Sequence, residues 1–188
     1  NPLQLKALSQ QIENWLVERN LRGMQVVQPY LRPGYLLRAA RLFNLPAGST
    51  VLIGTGFPVL DTFETDGPVG AIALYQCAEA IGLKPVILCG DPLFSVLNRQ
   101  YQCYPLSVNQ YQQLPRLAEQ ALAQLKPALV LAIERPGFGA NGRYMNMRGE
   151  DISERCASFD HFLTQAACPT IGIGDGGNEI GMGNLYQQ

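Results

Sequence analysis

"TVLIGTGFPVLDTFETDGPVGAIALYQCAEAIGLKPVILCGD", residues 50–91, reads as a strand, a long loop, a helix and a second strand. Residues 50–54 and 84–91 are short apolar runs without polar alternation, the pattern of strands covered on both faces. Residues 68–82 open on Pro68, which suits the first turn of a helix, where its missing N–H would have had no partner anyway. Strand, helix and strand at this spacing make a βαβ unit, and such units build parallel sheets.

Working outward, the same alternation continues. A helical stretch over 92–100 precedes a weak strand at 101–106 and a helix at 108–125 that is begun or interrupted near Pro115. "ALVLAI" (128–133) is another buried strand, "SFDHFLTQAA" (158–167) a helix, and "PTIGIG" (169–174) a last strand. Upstream, Leu3, Leu5, Leu8, Ile12, Leu16 and Leu21 recur near helical spacing, and "GYLLRAARLF" (34–43) follows Pro33 as a second, short helix. Both look like scaffold. The expected fold is therefore α/β, a mostly parallel Rossmann-like sheet with helices on both faces, preceded by N-terminal helices. A single domain over 1–188 is expected, with a helical segment at 1–45 and an α/β core at 46–188, incomplete at its C-terminal end.

At 188 residues, 47% hydrophobic and 15% charged, the chain has the balance of an enzyme-like globule. A formal net charge of -1 leaves no basic footprint for nucleic acid, and no apolar run is long enough to span a bilayer. Neither a nucleic-acid nor a membrane partner is expected. Five cysteines without a CxxC pair support neither a metal cluster nor a disulfide framework, and buried thiols serve as small hydrophobes.

In a parallel sheet of this kind ligands bind outside the carboxyl ends of the strands. Three strands end in unusual loops, 54–68, 134–151 and 174–183, and these should meet at one edge. The first carries Glu64 and Asp66, of which Asp66, or Thr65, could simply cap the following helix. The second begins Glu134-Arg135 and continues through Asn141, Arg143, Tyr144, Asn146, Arg148 and Asp151. A charge run is usually solvated surface, but arginine forks match carboxylates and phosphates. In the third, "GIGDGG" (172–177) satisfies G-x-G-x-x-G after a strand. A dinucleotide fingerprint should open the first βαβ unit, however, and Asp175 and Glu179 place negative charge where a pyrophosphate would sit. These acids favour an amine or a cation. They would face one way if a helix began near Asp175, where helix capping is the alternative role. His161, the only histidine, lies in a helix between phenylalanines and is left out of the site.

"TGFPVLDTFETDGPVGA" (55–71), "ERPGFGANGRYMNMRGEDIS" (134–153) and "PTIGIGDGGNEIGMGN" (169–184) together resemble the D-glutamate cyclase family, with bacterial members and a cyclase domain in an animal mitochondrial protein. The resemblance implies an α/β lyase that converts D-glutamate to 5-oxo-D-proline with loss of water. It implies Asp175 or Glu179 as the group that deprotonates the α-ammonium, and Glu64 or Asp66 as a general acid. Arg135 or Arg148 would hold the α-carboxylate, with Asn146, Asn178, Gly176 and Gly177 also in contact with substrate. No cofactor is certain; a divalent cation on Glu64, Asp66 or Asp175 is the one implied candidate. The expected partner is a small acidic amino acid, and the expected location is the cytoplasm of a bacterium or the mitochondrial matrix of an animal. The alternatives are a non-catalytic domain that cradles a nucleotide or phosphate on Gly172 to Gly177, and another enzyme acting on acidic amino acids, such as a racemase or deaminase.

Overall fold

The computed structural model describes residues 1–108 and 114–185. Residues Asn1–Asn44 form one compact unit with residues 183–185, and residues Leu45–Met182 form another. The first unit holds helices α1 (Pro2–Val17), α2 (Met24–Val27) and α3 (Tyr35–Arg41). The Asn1 side chain caps α1 by accepting from Leu3 N at 3.1 Å. The leucine stripe expected to be the packed face of α1 is exposed at Leu3, Leu5, Leu8 and Leu16, whereas Ser9 and Glu13 are buried. The reason is that the N–H groups at the start of α3 have no acceptor within the helix and must be met from outside. Glu13 accepts from Gly34 N and Leu36 N at 3.0 Å each, and Ser9 Oγ accepts from Leu37 N at 3.0 Å while donating to Glu13 at 2.7 Å. Burial opposes the Glu13 charge, but Ser9, the two N–H groups and Arg38 outweigh it and hold the carboxyl below its ordinary range.

In the second unit the chain runs through β1 (Thr50–Thr55), β2 (Pro58–Val59), β3 (Thr62–Phe63), α4 (Asp66–Ala80), β4 (Lys84–Cys89), α5 (Leu93–Leu97), β5 (Cys103–Pro105), α6 (Leu114–Leu125), β6 (Leu129–Ile133), α7 (Asp160–Thr164) and β7 (Thr170–Ile173). Five strands make one parallel sheet in the order β5-β4-β1-β6-β7. Ile53 lies opposite Ile87 on one side and Leu131 on the other. The chain builds outward from β1 through β4 to β5, then returns to place β6 on the other side of β1. That reversal is the switch point of a doubly wound sheet.

Successive side chains point to opposite faces. Leu52, Val86, Leu88, Val130 and Ala132 form one face with Ala118 and Ala121 of α6 and with Phe159 and Phe162. On the other face α4 buries Ala71, Tyr75 and Ala78, and a Cβ at Gly70 would stand 2.5 Å from Ile133 Cδ1. Helices thus cover both faces, as the apolar runs imply. β7 is different: among the described residues it is an edge strand beside β6 alone, and most of its residues are exposed.

Boundaries differ from expectation where local pattern is weakest. α4 starts two residues early, at Asp66, and α5 and α7 are single short turns rather than the longer stretches at 92–100 and 158–167. Of the helix expected over 108–125, residues 109–113 lie outside those described, and α6 starts at Leu114 beside Pro115. The β2–β3 hairpin inside the first loop has strands too short to show a period.

Gly54 illustrates how tightly β1 meets the layer above. A Cβ there would stand 2.5 Å from Phe159 Cζ, and that ring is fully buried and stacked on Phe162 at 4.9 Å. Gly54→Ala should cost about 2 kcal/mol by overpacking, lowering the melting temperature by roughly 4–8 °C in a thermal melt. An unchanged melting temperature would mean that the ring can move aside.

Candidate functional site

The three loops meet at the carboxyl end of the sheet, across the switch point between β1 and β6. Asn178 donates to Met145 O at 2.9 Å, tying the third loop to the second. Residues 135–137 run antiparallel to 178–180, with Gly137 N donating to Asn178 O at 2.9 Å and Ile180 N to Arg135 O at 3.0 Å. The glycines make this crossing possible. A Cβ on Gly172 would stand 2.9 Å from Ile180 O, and one on Gly174 would collide with the Glu179 carboxylate. The space beside the first two glycines of G-x-G-x-x-G is therefore filled by the chain's own loop, whereas nothing stands within 4 Å of a Cβ on Gly177.

Glu179 is buried at 7% exposure, and its Oε2 accepts from Gly176 N at 2.6 Å. Residue 175 lies in a bend and no helix starts there, so Asp175 reaches Glu179 by the loop's folding instead of by helical spacing. Glu134 meets both. One carboxylate oxygen from each of Glu134, Asp175 and Glu179 lies within 4.8 Å of the others. Glu134 follows the last residue of β6 in the left-handed region, φ 48°, with its N–H donating to Ile173 O at 3.0 Å. Burial pushes the Glu134 carboxyl up to about 9, helped by its hydrogen bond to Glu179 and by the charges of Glu179, Asp175 and Asp66. At neutral pH this side chain keeps its proton. The trio can act as a proton-sharing set, grip an ammonium, or coordinate a hard cation through oxygen alone.

Asp66 lies in the first turn of α4, exposed, with Oδ1 accepting from Gly67 N at 2.9 Å, close enough to act on Glu134 by charge but outside the trio. Glu64 is half-buried at the foot of the β2–β3 hairpin, its N–H donating to Phe57 O at 3.0 Å. Arg135 points away from the trio. It is 3% exposed, donates through Nη1 to Thr55 O at 2.7 Å and Gly56 O at 3.2 Å, and lies 5.8 Å from the Phe159 centroid. Asn146 organises a turn, accepting from Arg148 N and Glu150 N and donating to the Glu150 carboxylate at 2.6 Å. Arg148 is exposed on that turn, and Gly176 and Gly177 form the turn around Glu179. His161 is half-buried with its ring 5.7 Å from that of Phe138. The residue missing from the sequence-derived set is Glu134. Its signal was available: it is the charged residue that ends the apolar run "ALVLAI", at the carboxyl end of a central strand.

Fold and site together define a doubly wound α/β protein with a carboxylate-rich centre at its switch point. Residues 12–188 match the family described as "D-glutamate cyclase-like, C-terminal", and the chain belongs to that family. It is also similar to "D-glutamate cyclase, mitochondrial" of Homo sapiens, at 32% identity over 197 residues that cover 90% of this chain and 32% of that protein. The chain thus spans about a third of the length of this relative. No helix among the described residues is long and apolar enough to cross a membrane.

The raised Glu134 carboxyl links stability to pH. Between its ordinary value of 4.5 and about 9 the folded chain holds a proton that the unfolded chain releases, so this group lowers stability as pH rises through that window. Denaturant titrations from pH 5 to 9 should show this fall in the wild type and a flatter profile in Glu134→Gln. Parallel profiles would mean that Glu134 ionises normally in the folded chain.

Proposed function

We propose that this chain carries the catalytic site of a cyclase that converts D-glutamate to 5-oxo-D-proline and water, with Glu134, Asp175 and Glu179 as the acid–base set. The observation that carries the reading is the convergence of three carboxylate oxygens within 4.8 Å of one another, with burial and the neighbouring acids pushing the Glu134 carboxyl up. In the reaction the α-amine attacks the γ-carboxyl carbon, a tetrahedral centre forms, and a C–O bond breaks. Two protons leave nitrogen and two arrive on the departing oxygen, so the net change at the protein is zero. A set of carboxyls that shares protons suits this exchange.

Roles follow from charge. A substrate γ-carboxylate is repelled by ionised acids but accepts a hydrogen bond from protonated Glu134, which then supplies a proton to the leaving hydroxyl. Asp175 or Glu179 binds the α-ammonium, takes its proton and frees the nucleophile. Asp66 contributes through its field on Glu134, and Glu64 borders the site from the hairpin. Gly176 and Gly177 carry Glu179 into position, Asn178 ties the third loop to the second, and Asn146 shapes the turn of the second loop. Holding amine and γ-carbon together in a folded substrate removes much of the entropic barrier to ring closure.

A second reading rests on the closeness of the three carboxylate oxygens, which suits a divalent cation. The cation would then polarise the γ-carboxyl in place of the Glu134 proton. The family relationship supports D-glutamate as the substrate, since the human relative is named for that reaction.

Lactam formation from D- and L-glutamate, followed with and without chelator, tests both readings. Glu134→Gln should lower kcat by roughly 10²- to 10⁴-fold, the usual span for loss of a general acid. Unchanged turnover in Glu134→Gln would remove the proton reading, and abolition of wild-type turnover by chelator would select the cation. A chain that folds but makes no lactam from either enantiomer would rule out the cyclase.

A further inference from the structure

One buried acid lies outside the carboxylate trio and has no part in the roles given above. Asp160, the first residue of α7, is 8% exposed, and both of its oxygens are spent on the second loop. Oδ1 accepts from Phe138 N at 3.2 Å, and Oδ2 accepts from the Tyr144 hydroxyl at 2.6 Å. Tyr144 is itself buried, and its hydroxyl also bonds Ser158 Oγ. Phe138 and Tyr144 stand opposite each other in an antiparallel bridge, with their rings edge to face at 6.2 Å. One carboxylate therefore holds both arms of the loop where it leaves β6.

We propose that Asp160 is a positioning residue for the trio, which clamps residues 135–138 and so sets Glu134 against Glu179. Its bearing on catalysis rests on the cyclase reading; the clamp rests on the contacts above. Two routes lead from Asp160 to the trio. The first is the backbone. Phe138 N is fixed by Asp160 next to Gly137, whose N–H donates to Asn178 O at 2.9 Å, and Arg135 O accepts from Ile180 N at 3.0 Å. Holding Phe138 thus holds one end of the crossing that carries Glu179.

The second route is charge. Burial lowers the Arg135 guanidinium, and Cys156, Tyr144, Asp160 and Cys89 oppose that by charge; Asp160 is the carboxyl among these four. An acid there favours the Arg135 side chain on the side of Phe159, where its guanidinium lies 5.8 Å from the ring centroid. The next residue back, Glu134, is left with Glu179 and Asp175. For stability alone a buried acid is a poor device, since apolar side chains of the same volume often serve as well or better. A carboxylate that accepts from two separate parts of a loop does what an apolar side chain cannot, because its bonds fix direction as well as contact.

The test uses the full chain with Asp160→Asn and Tyr144→Phe, alone and each combined with Glu134→Gln. Asp160→Asn keeps the shape, removes the charge and turns an amide N–H toward one of the two donors; Tyr144→Phe keeps the ring and removes one donor. In lactam kinetics Asp160→Asn should lower kcat about 10²-fold, the scale of an ångström's misplacement, with the KM for D-glutamate little altered. Tyr144→Phe should lower kcat less. In the Glu134→Gln background neither should lower kcat further, because the group being positioned is gone. Amide hydrogen exchange reads the clamp without activity: the N–H groups of Gly137 and Ile180 should exchange about ten-fold faster in Asp160→Asn, with those of β4 unchanged. Equal losses of kcat in both backgrounds, or exchange that is unchanged or that quickens uniformly through the sheet, overturn the positioning role even in an active cyclase. If Asp160→Asn fails to fold, Tyr144→Phe decides by the same comparisons. If no lactam forms in the wild type while exchange quickens at Gly137 and Ile180 alone, the cyclase reading fails and the clamp stands.

Discussion

A buried guanidinium joins the two central strands where the site begins. Arg135 comes from the residue pair that follows β6 and donates through Nη1 to the carbonyls of Thr55 and Gly56 at the end of β1. Those carbonyls have no strand partner beyond the sheet, and an unmet buried carbonyl is costly. By satisfying them, Arg135 fixes the spacing of the strand ends. With Arg135 turned toward β1 and Phe159, its neighbour Glu134 is left on the side of the third loop. One pair of adjacent residues therefore serves two environments of opposite charge.

The third loop is built around the same need for close approach. Its glycines let residues 178–180 lie against 135–137, and the carboxylate of Glu179 fills the space that a side chain at 174 would occupy. An acid folded back in this way is removed from water and held by Gly176 N. Burial, one hydrogen bond and three neighbouring charges then raise Glu134. None of these effects is large in an exposed loop; desolvation is what gives the others their weight.

Much of the frame was legible from residue patterns. β1, β4 and β6 are uninterrupted apolar runs, and a strand buried on both faces has little other appearance. The convergence of the three loops followed from parallel topology alone. The roles of single residues were less legible, because they depend on contacts between distant parts of the chain. Glu134 stands in a charged run that resembles solvated surface, and only the approach of Glu179 gives it its character. α1 shows the opposite case: its leucines mark a helix correctly, while its buried face is chosen by Ser9 and Glu13 capping α3.

The backbone at Glu134 has a consequence for how such a chain can change. A φ of 48° suits glycine or asparagine, and a glutamate held there carries a local penalty of order 1 kcal/mol. Selection for thermal robustness alone would drive position 134 toward Gly or Asn, relaxing the turn and discarding an awkward acid in one step. The sequence that is easiest to fold and the sequence that can move protons here are different sequences, and drift between them takes a single codon's change in residue.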